Sequence, residues 1–242
     1  MNILTNRIDY SVGEATHQGY LAYDDEVAES RPGVIIVHEW WGLNDYIVKR
    51  AHMLAERGYV ALAIDMYGGG RVAENPDQAG EMMMGVLNDM EFGTSALKAA
   101  HALLLDQPGV DKARTAAIGY CFGGAMVLHM ARIGLPLSAV GSFHGALGSF
   151  HTAEPGSIGA KVLVCHGEAD SMVTMDDLAG FEEEMNTAQA SYEVMRLPGA
   201  KHGFSNPDAD VNAEKYGLDL GYQQQADDDS WAKLQALFGQ VF

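Results

Sequence analysis

Thr115-Ala116-Ala117-Ile118-Gly119-Tyr120-Cys121-Phe122-Gly123-Gly124 runs from a short apolar stretch into a glycine-flanked cysteine. Thr115 to Gly119 reads as a buried strand and Phe122 to Arg132 as the helix that follows. The turn between them has the form G-x-[SC]-x-G, a nucleophile elbow with cysteine at its apex. A sharp strand-to-helix turn crowds the residues flanking the nucleophile, so side chains at Gly119 and Gly123 would clash. Such a turn exposes the sulfur at a helix N-terminus, whose dipole favours thiolate. It also aims the backbone N–H of Phe122 at any oxyanion formed by attack. The bland alternative is a core cysteine in a glycine-rich turn, and the strand-turn-helix context weighs against it.

Outward from the elbow, short apolar runs alternate with longer helical stretches. Val34 to Val37, Val60 to Ile64, Leu137 to Ser142, Lys161 to Cys165 and Tyr192 to Leu197 read as further strands. Helices are expected from Asn44 to about Arg57, from Met175 to Ala188, and from Asp229 or Ser230 onward. A long helical stretch from Pro76 or Asp77 to about Leu105 is expected to break near Gly93. Continuous β-branched runs between helices predict an α/β fold, a mostly parallel sheet with helices on both faces. No composition shift marks a boundary, so residues 1–242 are expected to form a single domain. In such sheets, sites lie at the carboxyl ends of strands, in the loops after Val37, Ile64, Gly119, Ser142, Cys165 and Leu197.

The chain has 242 residues, and 15 basic against 33 acidic side chains give a formal net charge of −18. Charge of this sign repels phosphate backbones and anionic membrane surfaces, which argues against nucleic-acid and membrane partners. Two cysteines, Cys121 and Cys165, cannot build a disulfide scaffold. Met1 to Tyr10 lacks an apolar core of signal-peptide length and no later stretch approaches a membrane span, so a cytoplasmic protein is expected.

A thiol nucleophile needs a base, and a base needs an orienting acid. Val162 to Cys165 leads into His166-Gly167-Glu168-Ala169-Asp170, a strand followed by an acidic loop. Leu197-Pro198-Gly199-Ala200-Lys201-His202-Gly203-Phe204 then places a histidine after the last strand. The order nucleophile, acid, histidine makes His202 the best base and Asp170 the best orienter, with Glu168 the nearest rival.

Four segments, VIIVHEWWG (34–42), GYCFGG (119–124), HGEAD (166–170) and GAKHGF (199–204), resemble the dienelactone hydrolase family, a cysteine-nucleophile branch of the α/β-hydrolases. The likeness spans about residues 18–240. It implies an α/β-hydrolase fold, a Cys121-His202-Asp170 triad, and hydrolysis of esters or lactones with no metal and no cofactor. It further implies that Glu39 holds the resting thiol until substrate binds. By the same resemblance, the N–H of Trp40 joins that of Phe122 as the second oxyanion donor. Attack would give a thioester, which water activated by His202 would cleave.

The lactone hydrolases that name the family grip a substrate carboxylate with arginines at two places. Here the stretch after the histidine is Gly203-Phe204-Ser205-Asn206-Pro207, and Pro76 to Val86 holds no Lys or Arg. Without a guanidinium fork at either place, an anionic lactone loses its bidentate anchors. Arg71 or Lys201 could substitute, although a solvated charge is the commoner role for each. Trp40, Trp41, Tyr67, Phe204 and the run Met82 to Met84 could line an apolar pocket, against the plain alternative that methionines at helical spacing are core. The expectation is a small-molecule neutral ester or lactone as substrate. His144 could touch substrate and His38 could face the site, but a satisfied structural histidine is the usual case for both. His38, His144, His166 and His202 share one sheet edge with Glu39 and Asp170, yet no metal-ligand spacing accompanies them. Two rival activities remain: promiscuous phosphotriester hydrolysis at the same thiol, and a non-hydrolytic redox or binding role for Cys121. The sequence leaves the natural substrate and the oligomeric state open.

Overall fold

The computed structural model describes residues 1–242. Eight strands form one mostly parallel sheet in the order β1-β2-β4-β3-β5-β6-β7-β8. The chain divides into two compact units, Met1–Ile118 and Gly119–Phe242.

The first unit opens with a hairpin, β1 (Ile3–Val12) and β2 (Ala15–Asp24), paired antiparallel from Ile3 opposite Asp24 to Val12 opposite Ala15. Gly13 supplies the positive φ of 58° that its tight turn requires. β3 (Arg31–Val37) and β4 (Val60–Ile64) pair in parallel, and β2 runs antiparallel to β4. Val34 to Val37 and Val60 to Ile64 are wholly buried, as continuous apolar runs in a covered sheet demand. α1 (Asp45–Ala55) starts where Asn44 accepts a hydrogen bond from the Ile47 N–H, and it buries Ile47, Ala51 and Leu54. α2 (Pro76–Leu87) and α3 (Met90–Leu105) follow β4. The break between them falls at Asn88 and Asp89, not at Gly93. Asp89 caps α3 by accepting from the Phe92 N–H, while Gly93 sits inside α3. A Cβ on Gly93 would lie 3.0 Å from the Val86 side chain, so this glycine serves close packing of the two helices. β5 (Val110–Tyr120) begins in this unit and ends in the next.

In the second unit α4 (Phe122–Arg132) leaves the elbow with all eleven residues buried. β6 (Ala139–Phe143), β7 (Lys161–Gly167) and β8 (Tyr192–Leu197) are parallel. Their register aligns Phe143 with Cys165 and Gly167 with Leu197, so the loops that follow them open on one edge. α5 (Met175–Thr187) carries a capping box between Thr174 and Asp177. α6 (Ala209–Tyr216) has no counterpart in the sequence reading, and α7 (Gln224–Val241) starts before the expected Asp229. α7 packs on β6 and β7 through Trp231, Leu234 and Phe238. No helix is long and apolar enough to cross a membrane.

Candidate active site

Cys121 is the residue between β5 and α4. Its φ of 52° and ψ of −116° lie outside the regions that L-residues favour. The conformation is held from both sides. The Cys121 N–H donates to the Phe143 carbonyl at 3.0 Å, and the Gly124 N–H donates back to the Cys121 carbonyl at 3.0 Å. A Cβ on Gly119 would sit 2.0 Å from the Gly123 carbonyl oxygen, so no larger residue fits there. Phe122 opens α4, whose first-turn N–H groups form the positive end of the helix dipole. The thiol of Cys121 is partly exposed, whereas Cys165 is fully buried and burial pushes its thiol pKa upward. Cys165 therefore stays protonated and inert.

The loops after β7 and β8 are tied together. The Glu168 N–H donates to the Leu197 carbonyl, and the Ala169 N–H to the Ala200 carbonyl, both at 3.0 Å. This brings His202 Nδ1 to 2.9 Å from Asp170 Oδ2. The other oxygen of Asp170 accepts from the N–H groups of Met172 and Val173, at 2.8 and 3.0 Å. Asp170 is buried and bonded on both oxygens, while its rival Glu168 is exposed. His202 is buried, and the side chain of Cys121 is near enough to act on its titration. Burial of the ring works to lower its pKa. The influence of Cys121 and the hydrogen bond to Asp170 outweigh that, and the net shift is well above 6.5.

His144 and Phe204 are both fully buried, their rings meeting edge-on at 5.0 Å. His144 Nε2 shares a hydrogen bond of 2.8 Å with Ser205 Oγ, a partner that sequence reasoning missed. Ser205 carries no sequence signal beyond its place after His202, because the contact depends on how two distant loops pack. Asn206 is buried and accepts from the Asp208 N–H. Lys201 is half exposed and pairs with Asp219 at 2.7 Å. His166 is buried, and burial lowers its pKa.

The remaining expected residues belong to the first unit. Glu39 and Trp41 are buried, and Trp40 meets Trp41 edge-on at 5.1 Å. The Met66 N–H donates to His38 Nε2 at 3.2 Å, which leaves His38 Nδ1–H to donate to the Glu39 carbonyl. His38 is thus a satisfied histidine, its pKa lowered by burial. Tyr67 Oη donates to the Trp40 carbonyl at 2.9 Å. Arg71 donates from Nε to the Gly68 carbonyl and from Nη2 to the Tyr67 carbonyl. Tyr67, Arg71, Glu81, Met82, Asp89 and Phe92 help to line a pocket of about 410 Å3. Of the methionine run, Met82 lines this pocket and Met84 is exposed.

Asp65, at the end of β4, is a second residue that the sequence reading left without a role. Its Oδ1 accepts from the N–H groups of Tyr67 and Gly68, and its Oδ2 from those of Gly70 and Gln18. Its own carbonyl takes Tyr10 Oη and His17 Nδ1. Gly68, Gly69 and Gly70 all have positive φ, which lets the loop curl around the one carboxylate.

The profile of the dienelactone hydrolase family matches residues 17–242. A crystal structure of the dienelactone hydrolase-like promiscuous phosphotriesterase P91, from metagenomic libraries, superposes with a TM-score of 0.91 at 33% identity, covering 100% of both chains. A solved structure named m3DLH gives a TM-score of 0.92 at 34% identity over 99% of both chains. A protein of Synechocystis sp. described as a candidate carboxymethylenebutenolidase is 31% identical over 235 residues, 91% of this chain and 90% of its own length. With a matched profile over nearly its whole length and an elbow cysteine beside a buried Asp-His pair, the chain belongs to the dienelactone hydrolase family.

Proposed function

We propose that this hydrolase cleaves neutral carboxylic esters or lactones through Cys121, His202 and Asp170. The observation that carries the reading is the Asp170–His202 hydrogen bond, with Cys121 near enough to raise the imidazole pKa. Asp170 fixes the imidazole with Nδ1–H toward the carboxylate, so the other nitrogen serves the sulfur. The thiolate adds to the carbonyl carbon, and the oxyanion is met by the N–H of Phe122. The family pattern adds the N–H of Trp40 as second donor and Glu39 as the acid that holds the resting thiol. Collapse of the adduct breaks the C–O bond, and His202 protonates the leaving oxygen. A water that gives its proton to His202 then attacks the thioester, releasing the acid and regenerating the thiol.

Preference for neutral substrates is supported by the arginines that are missing and by the state of the cations that remain. Pro76 to Val86 carries no Lys or Arg. The guanidinium of Arg71 is tied to two backbone carbonyls, and Lys201 is paired with Asp219. Kinetics with matched neutral and carboxylate-bearing esters test the point, wild type against Cys121→Ala. Faster turnover of the neutral ester, lost in the variant, is expected. Faster turnover of the anionic ester would overturn the preference, and turnover that survives in Cys121→Ala would overturn the nucleophile.

A second reading is favoured by the likeness to P91, which is described as a promiscuous phosphotriesterase. Attack of the same thiolate on phosphorus would displace an aryloxide and leave a thiophosphorylated cysteine for water to cleave. A chromogenic phosphotriester tests this, and release no faster than in Cys121→Ala excludes it.

A further inference from the structure

The buried histidine beside the candidate base is set in a backbone conformation that needs a reason. His144 follows β6 directly and has φ 39°, a left-handed value in a residue with a full side chain. Its N–H donates to the Cys165 carbonyl at 3.0 Å. The next residue, Gly145, packs so tightly on the start of α4 that a Cβ there would lie 2.7 Å from the Gly124 Cα. Backbone strain of this kind persists only where the surroundings over-determine it, and it concentrates at functional sites.

The strained turn delivers the His144 ring to one place. It lies 5.3 Å from the His202 ring, edge to face at 65°. It also meets Phe204 at 5.0 Å and bonds Ser205 through Nε2. Residues 202, 204 and 205 thus all contact one imidazole, and the loop that carries the base is wrapped around it. That loop has little regular structure of its own. The His202 backbone bridges to Leu220, while its ring is held by the bond to Asp170 and by the edge-on contact with His144. His144 has no exposed surface with which to reach a substrate.

We propose that His144 is a positioning residue for the base: its ring, tethered by Ser205, sets the orientation in which His202 faces Cys121. The proposal rests on the reading of Cys121, His202 and Asp170 as catalytic. A base displaced by a fraction of an ångström still binds its substrate's neighbours but transfers protons poorly, so the effect belongs in kcat. A substrate contact would instead appear in KM.

The test measures ester hydrolysis and alkylation of Cys121 by iodoacetamide at pH 6.5 in folded variants, with thermal melts as the check on folding. Alkylation needs the thiolate that His202 sustains but needs no oxyanion donor. His144→Ala is expected to lower kcat by about ten- to a hundredfold, with KM within about twofold, and to slow alkylation in parallel. Ser205→Ala and His144→Phe, which lose the tether but keep or replace the ring, are expected to lower kcat by about threefold to tenfold at unchanged KM. These two decide the matter if His144→Ala does not fold. Wild-type kcat and alkylation in the folded variants overturn the proposal, as does a loss confined to KM. His202→Ala separates the two levels. Slow alkylation in His202→Ala together with wild-type behaviour in the His144 and Ser205 variants rejects only the positioning role. Unchanged alkylation in His202→Ala rejects the catalytic reading beneath it.

Discussion

His202 Nδ1 lies 2.9 Å from Asp170 Oδ2, and that contact decides which imidazole nitrogen is left for the thiol. Because Asp170 Oδ1 is taken by the N–H groups of Met172 and Val173, the carboxylate cannot turn away from the ring. Asp170→Asn tests the consequence. The amide oxygen would keep the two backbone donors, leaving the NH2 to face Nδ1 and forcing the proton onto the other nitrogen. That tautomer cannot accept a proton from Cys121. We expect kcat to fall by about 10^3- to 10^4-fold while the fold is kept. A steady-state kcat within about threefold of wild type would show that the pair does not orient the base.

The raised pKa of His202 gives a second expectation with a definite sign. Burial alone would lower it, and the influence of Cys121 together with the bond to Asp170 reverses that. The ring therefore holds its proton to higher pH than an ordinary imidazole does. Cys121→Ala removes the partner that raises the pKa but leaves the burial, so the midpoint should move down. Imidazole NMR across a pH titration reads both states. An unchanged midpoint in the variant would remove Cys121 as the source of the shift.

Arg132 is buried at the end of α4, where its guanidinium forks onto both oxygens of Glu184 and also donates to the carbonyls of Leu147 and Gly148. One side chain thus anchors the loop after His144 to both α4 and α5. Removing one partner of a buried pair leaves the other uncompensated, at a cost of about 3–5 kcal/mol; Glu184 is partly exposed, which places Arg132→Ala at the lower end. Arg132→Lys keeps the charge but lacks the planar fork, so it should recover only part of the loss. Urea denaturation midpoints at constant m-value measure both. Full stability in Arg132→Ala would mean that the pair is energetically idle.

The sheet and the elbow were legible in the sequence for a common physical reason. Strands such as Val60 to Ile64 are buried on both faces and therefore read as unbroken apolar runs. Gly119 is demanded by a backbone approach that allows no side chain. The β1–β2 hairpin was missed because β1 is largely exposed and carries Asn6, Arg7 and Asp9 among its apolar residues. α6 buries only Ala209, so it has no apolar stripe to read, and the first turn of α7 is polar. Among the candidate residues, Cys121, Asp170 and His202 stood out because each lies just beyond a strand's carboxyl end and carries chemistry. Ser205 and the burial of His144 did not, since they follow from the packing of one loop on another.

Asp65 yields the last prediction, from a carboxylate whose work is done on backbone amides. It is buried and accepts four N–H groups, three of them from the loop Tyr67 to Gly70. Those bonds hold Tyr67, whose hydroxyl in turn holds the Trp40 carbonyl. In Asp65→Asn one acceptor oxygen becomes an NH2 that faces amide donors. At least one charge-assisted pair of bonds is lost, and a donor is left against a donor in a buried setting. The cost should be about 2–3 kcal/mol. It should be local before it is global, because three positive-φ glycines make the loop backbone permissive once the carboxylate no longer gathers its amides. Hydrogen exchange should therefore quicken at the amides of Tyr67, Gly68 and Gly70 more than in β3 or β4. Uniform quickening across the unit, or none, would show that the loop is shaped by something other than Asp65.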